Sequence, residues 1–417
     1  MTDFSRRTFI RTAAAAGLAA PVVGRPSVLS GAPGGGTARL APPSQEDPLG
    51  VRGEFPVLEE LAYLNTASMG PASRTVYDAM LAYHEERMMY RYPAGRREAE
   101  QSARAKFARL FGAGESEIAL LFSTSDAENI ITSAMEWRAG DNVVVDELHF
   151  TTTFVLYREL EKRHGIELRI VPATDGRAPV DDFAARTDDR TRMISVAWVS
   201  NRNGYRHPLP ELAEVAHSHG AYLYADAIQA FGTSATNLHD EGVDFACGNG
   251  YKWLFADYGV APFYVRAEHL EWLRPDRYGH TQVARSLADH RFTLIETAEK
   301  YEHANLAYGP VTALDAALSL LEKVGLERIE EHTQSLAAEL GQGVADLGIE
   351  LFTPPDNPSS IVSFYHGLDV DALATKLRDE GVPVTFQEAG ALVRSAVAMF
   401  NNRADVERLL GVLAALV

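Results

Sequence analysis

From Glu117 onward the apolar and polar positions of the chain switch between two spacings. Short β-rich runs occupy residues 118–122, 142–146, 167–171, 193–200, 221–226, 244–247 and 259–265. Between several of them the apolar spacing widens to that of a helix, as over 152–164 and 209–219. The second of these helices closes with two histidines in its last turn, followed by Gly220, a helix-stop pattern. Strands alternating with helices predict βαβ units, hence an α/β fold with a mainly parallel seven-stranded sheet. In such sheets ligands bind beyond the carboxyl ends of the strands. The residues that follow each strand are therefore the ones to read for chemistry.

The texture changes near Tyr301. Long helical patterns over 309–323 and 326–347 are followed by short strands near 349–352 and 361–365, and by another helix from Val370. This pattern predicts a smaller C-terminal α+β domain over 301–417. Before it come a large domain over 71–300 and a segment, 48–70, that contributes to the site. Residues 1–47 read differently again. MTDFSRRTFIRTAAAAGLAAP has a basic start, an apolar run over 12–20 too short to span a bilayer, and then Pro21. Arg6 and Arg7 in Ser-Arg-Arg-Thr-Phe-Ile are similar to a bacterial twin-arginine signal. A linker rich in Gly, Pro, Ala and Ser follows over 22–47. The expectation is export by the twin-arginine machinery to the periplasm or beyond. That route carries folded proteins and suits an enzyme that must first acquire a soluble cofactor.

Composition removes several alternatives. A formal charge of −18 excludes the basic footprint of a nucleic-acid binder and argues against anionic membrane surfaces. The single cysteine, Cys247, permits no internal disulfide, and no Cys/His cluster has zinc spacing. No metal site is expected.

The residues after the strands carry the candidate chemistry. Ser123, Thr124 and Ser125 open a helix after the first strand and can hold a phosphate; Ser125 with Glu128 also reads as a capping box. His149 and Phe150 follow the second strand, where an aromatic ring either stacks on a flat ligand or packs the rim. Asn201 lies in an Asn-rich turn after the fourth strand. Asp226, with Gln229 three residues on, ends a strand reading AYLYAD. A buried acid there needs a partner, or else it caps a helix or forms a salt bridge. Asn249, Tyr251 and Lys252 stand in GNGYKW. A desolvated lysine there would be a nucleophile, whereas a snorkelling one would be surface decoration. No GxxxxGKS/T or GxGxxG loop supports a nucleotide. Taken together, a hydroxyl loop, an aromatic, an asparagine, Asp-x-x-Gln and a lysine meet the needs of pyridoxal 5'-phosphate (PLP).

At this point the sequence resembles the class V aminotransferase family of PLP-dependent enzymes, fold type I. It looks most like the isopenicillin N epimerase-like and kynureninase-like branch. YLNTASMGP, STSDAENI, DELHF, VSNRNG, ADAIQAFG, GNGYKW, YEHAN and VRSAVAMFNNRADVERLL carry the resemblance. It implies that Lys252 bears the cofactor as a Schiff base and that Asp226 holds the pyridine nitrogen. Gln229 and Asn201 would lie near the phenolic oxygen. Thr124, Ser125, Tyr251 and Asn249 would bind the phosphate. Phe150 would stack on the ring, with His149 as the alternative. Arg394 and Asn65 would contact the substrate, Arg394 through its carboxylate. The resemblance also implies a homodimer with sites at the interface. The family's Gly-Thr that reaches the neighbour's phosphate is Ala304-Asn305 here, so Asn305 takes that expectation. Two further departures are Ser123 for the family's glycine and Asp126 for its glutamate.

The resemblance leaves the reaction open between epimerisation, C–S or β-elimination and transamination. Kynureninase-type hydrolysis expects Asp-x-x-His, where this chain has Gln229. Cysteine desulfurases use a mobile C-terminal cysteine, and Cys247 lies instead on the strand leading into Lys252, which argues against persulfide chemistry. An inactive relative that only binds PLP belongs to a different class. Against it, each key polar position holds a chemically competent residue.

Overall fold

The computed structural model describes residues 40–91 and 95–417. The twin-arginine pattern and most of the linker lie outside the described residues. Seven strands form the central sheet: β1 (Ile118–Leu121), β2 (Asn142–Asp146), β3 (Glu167–Val171), β4 (Thr191–Ala197), β5 (Tyr222–Asp226), β6 (Phe245–Cys247) and β7 (Ala261–Val265), in the order β1-β7-β6-β5-β4-β2-β3. β2 to β6 pair in parallel, and β7 runs against both of its neighbours, β1 and β6. This is the mainly parallel seven-stranded sheet that the alternating pattern predicts.

Burial explains why these strands are apolar throughout. Successive side chains point to opposite faces. Val144, Ile194, Val196, Leu223 and Ala225 enter one core with Phe107, Leu212 and Leu318. Val143, Val145, Met193, Tyr224 and Cys247 enter another with Ile131, Tyr157 and Leu160. Helices cover both faces, so neither set can be polar.

A second sheet lies in the C-terminal part: β10 (Glu350–Leu351), β11 (Ile361–Tyr365), β13 (Leu392–Ala396) and β12 (Thr385–Gln387), in that order and antiparallel throughout. Helices Leu326–Asp346, Val370–Asp379 and Arg403–Ala414 pack on it through a separate core. An exposed hairpin, β8 (Val283–Ser286) with β9 (Phe292–Leu294), was not foreseen from the sequence.

Two contacts tie the distant parts of the chain together at the carboxyl edge of the large sheet. The Gly70 N–H donates to Tyr251 O at 2.9 Å, and a Cβ at Gly70 would lie 2.0 Å from Lys252 O, so only glycine permits this approach. The Ala396 N–H donates to Leu64 O at 2.8 Å, joining the end of β13 to the N-terminal segment. Among the described residues no helix is long and apolar enough to cross a membrane.

Candidate active site

The carboxyl ends of β1, β2, β4, β5 and β6 surround a cavity of about 570 Å³. Nine of the residues singled out from sequence line it: Thr124, Ser125, Phe150, Asn201, Asp226, Gln229, Asn249, Tyr251 and Lys252. Glu128, Thr152 and Thr153 line it as well.

Lys252 follows β6 on a loop folded against the Gly70 segment, and is 9 % exposed. Burial above all, and then the charge of Arg394, lower its pKa, while Asp226 works the other way. Asp226 ends β5, 8 % exposed, and accepts one hydrogen bond, from the Ile228 N–H at 3.1 Å. Burial raises its pKa against that bond and against the Lys252 charge. The two groups form no ion pair, and desolvation drives both toward neutrality. A neutral amine is the nucleophilic form of lysine.

The helix Thr124–Ala134 starts at the cavity without a side-chain cap at Ser123. Its expected capping box is not formed. Ser123 Oγ donates to Asp126 Oδ2 at 2.9 Å, and Glu128 turns into the protein interior instead. The helix N-terminus therefore faces the cavity with the hydroxyl-bearing residues Thr124 and Ser125 beside it. Thr124 Oγ1 accepts from the Asn249 N–H at 3.0 Å, which joins the β1 and β6 ends of this cradle. Tyr251 stacks on Tyr258 with ring centroids 4.1 Å apart.

Phe150 is half exposed at the cavity wall. His149 is not on that wall. It is buried behind it, its Nδ1 accepting from the Phe150 N–H at 2.7 Å, and burial lowers its pKa to about 4. Gln229 is more committed than the sequence suggests: its Nε2 donates to Ala67 O at 3.0 Å and its Oε1 accepts from Trp253 Nε1 at 2.6 Å. Asn201 Oδ1 is buried without a partner.

Arg394 lies on β13, flanked in register by Ser363 and Thr385. It does not line the cavity but is bonded to its wall, Nη1 donating to Asn201 O at 2.9 Å. Nη2 donates to Ser68 Oγ at 2.5 Å and to Thr385 Oγ1 at 3.2 Å. Thr385 Oγ1 in turn bonds Asn65 Oδ1 at 2.6 Å, which brings Asn65 into the same cluster. Nε is buried and unpartnered, and no carboxylate pairs with the guanidinium among the described residues. Burial lowers its pKa to about 10. A buried, uncompensated guanidinium is costly unless an anion arrives. Ser68 and Thr385 were missed from sequence. Ser68 stands inside YLNTASMGP, but Thr385 lies on a strand with no clear sequence pattern.

Asn305 lies elsewhere, in a second cavity of about 730 Å³ lined by Phe122, Asp126, Arg277 and 303–307. Cys247 is buried within β6, and burial pushes its thiol pKa well up.

The residues present fit PLP: an uncapped helix start for phosphate, an aromatic wall, an unpaired acid, an unpaired lysine and an orphaned amide oxygen. Comparison with solved structures agrees on the fold. Apo cysteine desulfurase from Thermococcus onnurineus NA1 superposes with a TM-score of 0.81 at 24 % identity, over 89 % of this chain and 98 % of that one. A complex of the cystine C–S lyase C-DES with cysteine persulfide superposes with a TM-score of 0.81 at 20 % identity, over 87 % and 99 %. In sequence, a probable cysteine desulfurase of Methanothermobacter thermautotrophicus is 28 % identical over 385 residues, covering 86 % of this chain and 95 % of that protein. The family match and the residues that would hold the cofactor define a PLP-dependent enzyme of fold type I. The class V aminotransferase model matches residues 62–409, and the chain belongs to that family.

Proposed function

We propose that the enzyme removes the Cα proton of an amino acid and expels a β-substituent, as a C–S or β-lyase. The observation that carries this reading is the buried, unpaired Lys252 beside Asp226 and within the field of Arg394. PLP, when bound, supplies an electron sink at the substrate Cα. Lys252 would hold the cofactor and then move the proton at its Nζ. Asp226 would keep a proton on the ring nitrogen. Thr124, Ser125, Asn249 and Tyr251 would bind the phosphate, Phe150 would face the ring, and Asn201 and Gln229 would border it. Arg394, with Asn65 close by, would receive the substrate carboxylate.

Elimination needs one base at Cα, and Lys252 is the amine among the described residues of the cavity wall, the acids Asp226 and Glu128 there being buried and held by hydrogen bonds. That favours lyase chemistry over a two-base epimerisation. The related proteins named as cysteine desulfurases and a C–S lyase support cleavage at sulfur. The buried Cys247 argues against sulfur being passed to a protein thiol, so sulfur would leave on the small-molecule product. Transamination and kynureninase-type hydrolysis remain the alternatives for the same residues.

The proposed assembly is a homodimer, in which a partner would cover the cavity around Asn305; Phe122, 72 % exposed there, supports it. Export by the twin-arginine route is also proposed, on the strength of Arg6 and Arg7. Their replacement by Lys should hold the protein in the cytoplasm, and unchanged secretion would refute it.

The reaction is tested by incubating holoenzyme in deuterated water with a varied amino-acid pool that includes cysteine conjugates, with a keto acid present. Pyruvate and ammonia with loss of the side chain support the lyase. Deuterium at Cα on an intact skeleton overturns it in favour of epimerisation or transamination, and amination of the keto acid separates those two.

A further inference from the structure

One group on the cavity wall has no part in the reading so far. Glu128 is 4 % exposed, and it lines the same cavity as Asp226 and Lys252. Its Oε1 accepts from Tyr157 OH at 2.9 Å and from Ser195 Oγ at 2.7 Å, and its Oε2 accepts from Thr153 Oγ1 at 3.1 Å. The direction of these bonds is set one step further out. Because the Phe150 N–H donates to His149 Nδ1, the neutral imidazole carries its proton on Nε2. That nitrogen lies 3.2 Å from Ser195 Oγ and 3.4 Å from Thr153 Oγ1. Ser195 therefore receives a hydrogen from His149 and passes its own to Glu128.

Three donated hydrogens favour the ionised carboxylate. The other surroundings oppose it. The titratable groups near Glu128 are Tyr157, Tyr224, His149 and Asp226, Lys252 and Tyr251 line the same cavity, and no cation pairs with Glu128 among the described residues. Burial first, and the Asp226 charge among lesser causes, push its pKa up to about 7. A lone buried carboxylate adds nothing to stability that an apolar side chain would not. Lys252 acts on Asp226 but no cation acts on Glu128, and the protonated ring nitrogen of PLP would bring a further positive charge into the same cavity.

We infer that Glu128 is a positioning residue: a second buried carboxylate that ionises as the cofactor's cationic ring enters, so that cofactor uptake releases its proton to solvent. This rests on PLP occupying the Lys252 cavity.

The test adds PLP to the full-length, cofactor-free protein in weak buffer with an indicator dye at pH 7, and counts protons released per visible chromophore formed. Glu128→Gln should release fewer by about half a proton per site, because a group titrating near pH 7 is half protonated there. In the holoenzyme, the pH midpoint of the visible band should move downward in Glu128→Gln, since a negative charge has left the cavity. Tyr157→Phe keeps the carboxylate but removes a donor, so it should release more than the wild type. An unchanged proton count and midpoint in a folded, coloured Glu128→Gln overturns the inference and leaves the cofactor site standing. A wild type that stays colourless with PLP overturns both. If Glu128→Gln does not fold, Tyr157→Phe decides: a raised count supports the role, and an unchanged count overturns it.

Discussion

Asp226 and Asp244 stand at opposite ends of adjacent parallel strands, and the two ends are built on contrary lines. Asp244, just before β6, is saturated. Its Oδ1 accepts from His269 Nε2 at 2.6 Å, and its Oδ2 accepts from His217 Nε2 at 2.9 Å and from the Leu223 N–H at 2.7 Å. His269 is itself oriented by Trp272, whose Nε1 donates to Nδ1 at 3.2 Å. Burial works to raise the pKa of Asp244, but the bonds from His217, His269 and Leu223 outweigh it and lower the pKa. Asp226, at the other edge, has one backbone donor, and burial wins. Two buried carboxylates with opposite outcomes separate one that braces the fold from one with room for a ligand.

The contrast can be broken by mutation. Lys252→Ala should abolish the visible band of bound cofactor and reduce turnover by about 10⁴-fold or more, read by absorbance and product assay. Asp226→Asn should keep much of the cofactor yet lose roughly 10²–10³ in kcat, because the electron sink fails rather than the anchor. An active Asp226→Asn would remove that residue from the mechanism. Arg394→Lys should cut kcat/KM by about 10²-fold, equivalent to about 2.7 kcal/mol, with the visible band retained, since a point charge replaces a fork.

Asp244→Asn should do the reverse of these. It should leave the spectrum intact while lowering stability by about 2–4 kcal/mol in denaturant titration. It should also flatten the acid limb of the stability profile. A depressed folded pKa gives stability that is fully present above the ordinary carboxylate pKa and lost as pH falls through the folded value, so below about pH 4 the wild type should lose this contribution and the gap between wild type and variant should narrow. Cys247→Ala should have the smallest effect, about 1 kcal/mol from a small void, with the rate unchanged. A large loss of rate there would reopen persulfide chemistry.

The large sheet was legible because each strand is buried on both faces and so is apolar over its whole length. The site was legible where the chemistry sits directly after such a strand, as with Asp226, Asn249 and Lys252. Three features were hidden. Glu128 looked like half of a capping box because Ser125 stands three residues before it. Only the fold reveals that Tyr157, Ser195 and Thr153 converge on it from another helix and strand. The cluster around Arg394 draws Ser68, Thr385 and Asn65 from segments more than 300 residues apart, a distance no local spacing can report. The antiparallel β7 was also invisible, because apolar runs carry no direction.

The Gly70 and Ala396 contacts have a consequence in time. The loop bearing Lys252 rests on a segment made near the start of synthesis, and that segment is fastened by a strand made near its end. A nascent chain lacking its last few dozen residues has neither Arg394 nor the strand that clamps residue 64. Capture of the cofactor should therefore follow completion of the polypeptide, and a chain stalled on the ribosome or truncated before β13 should remain colourless.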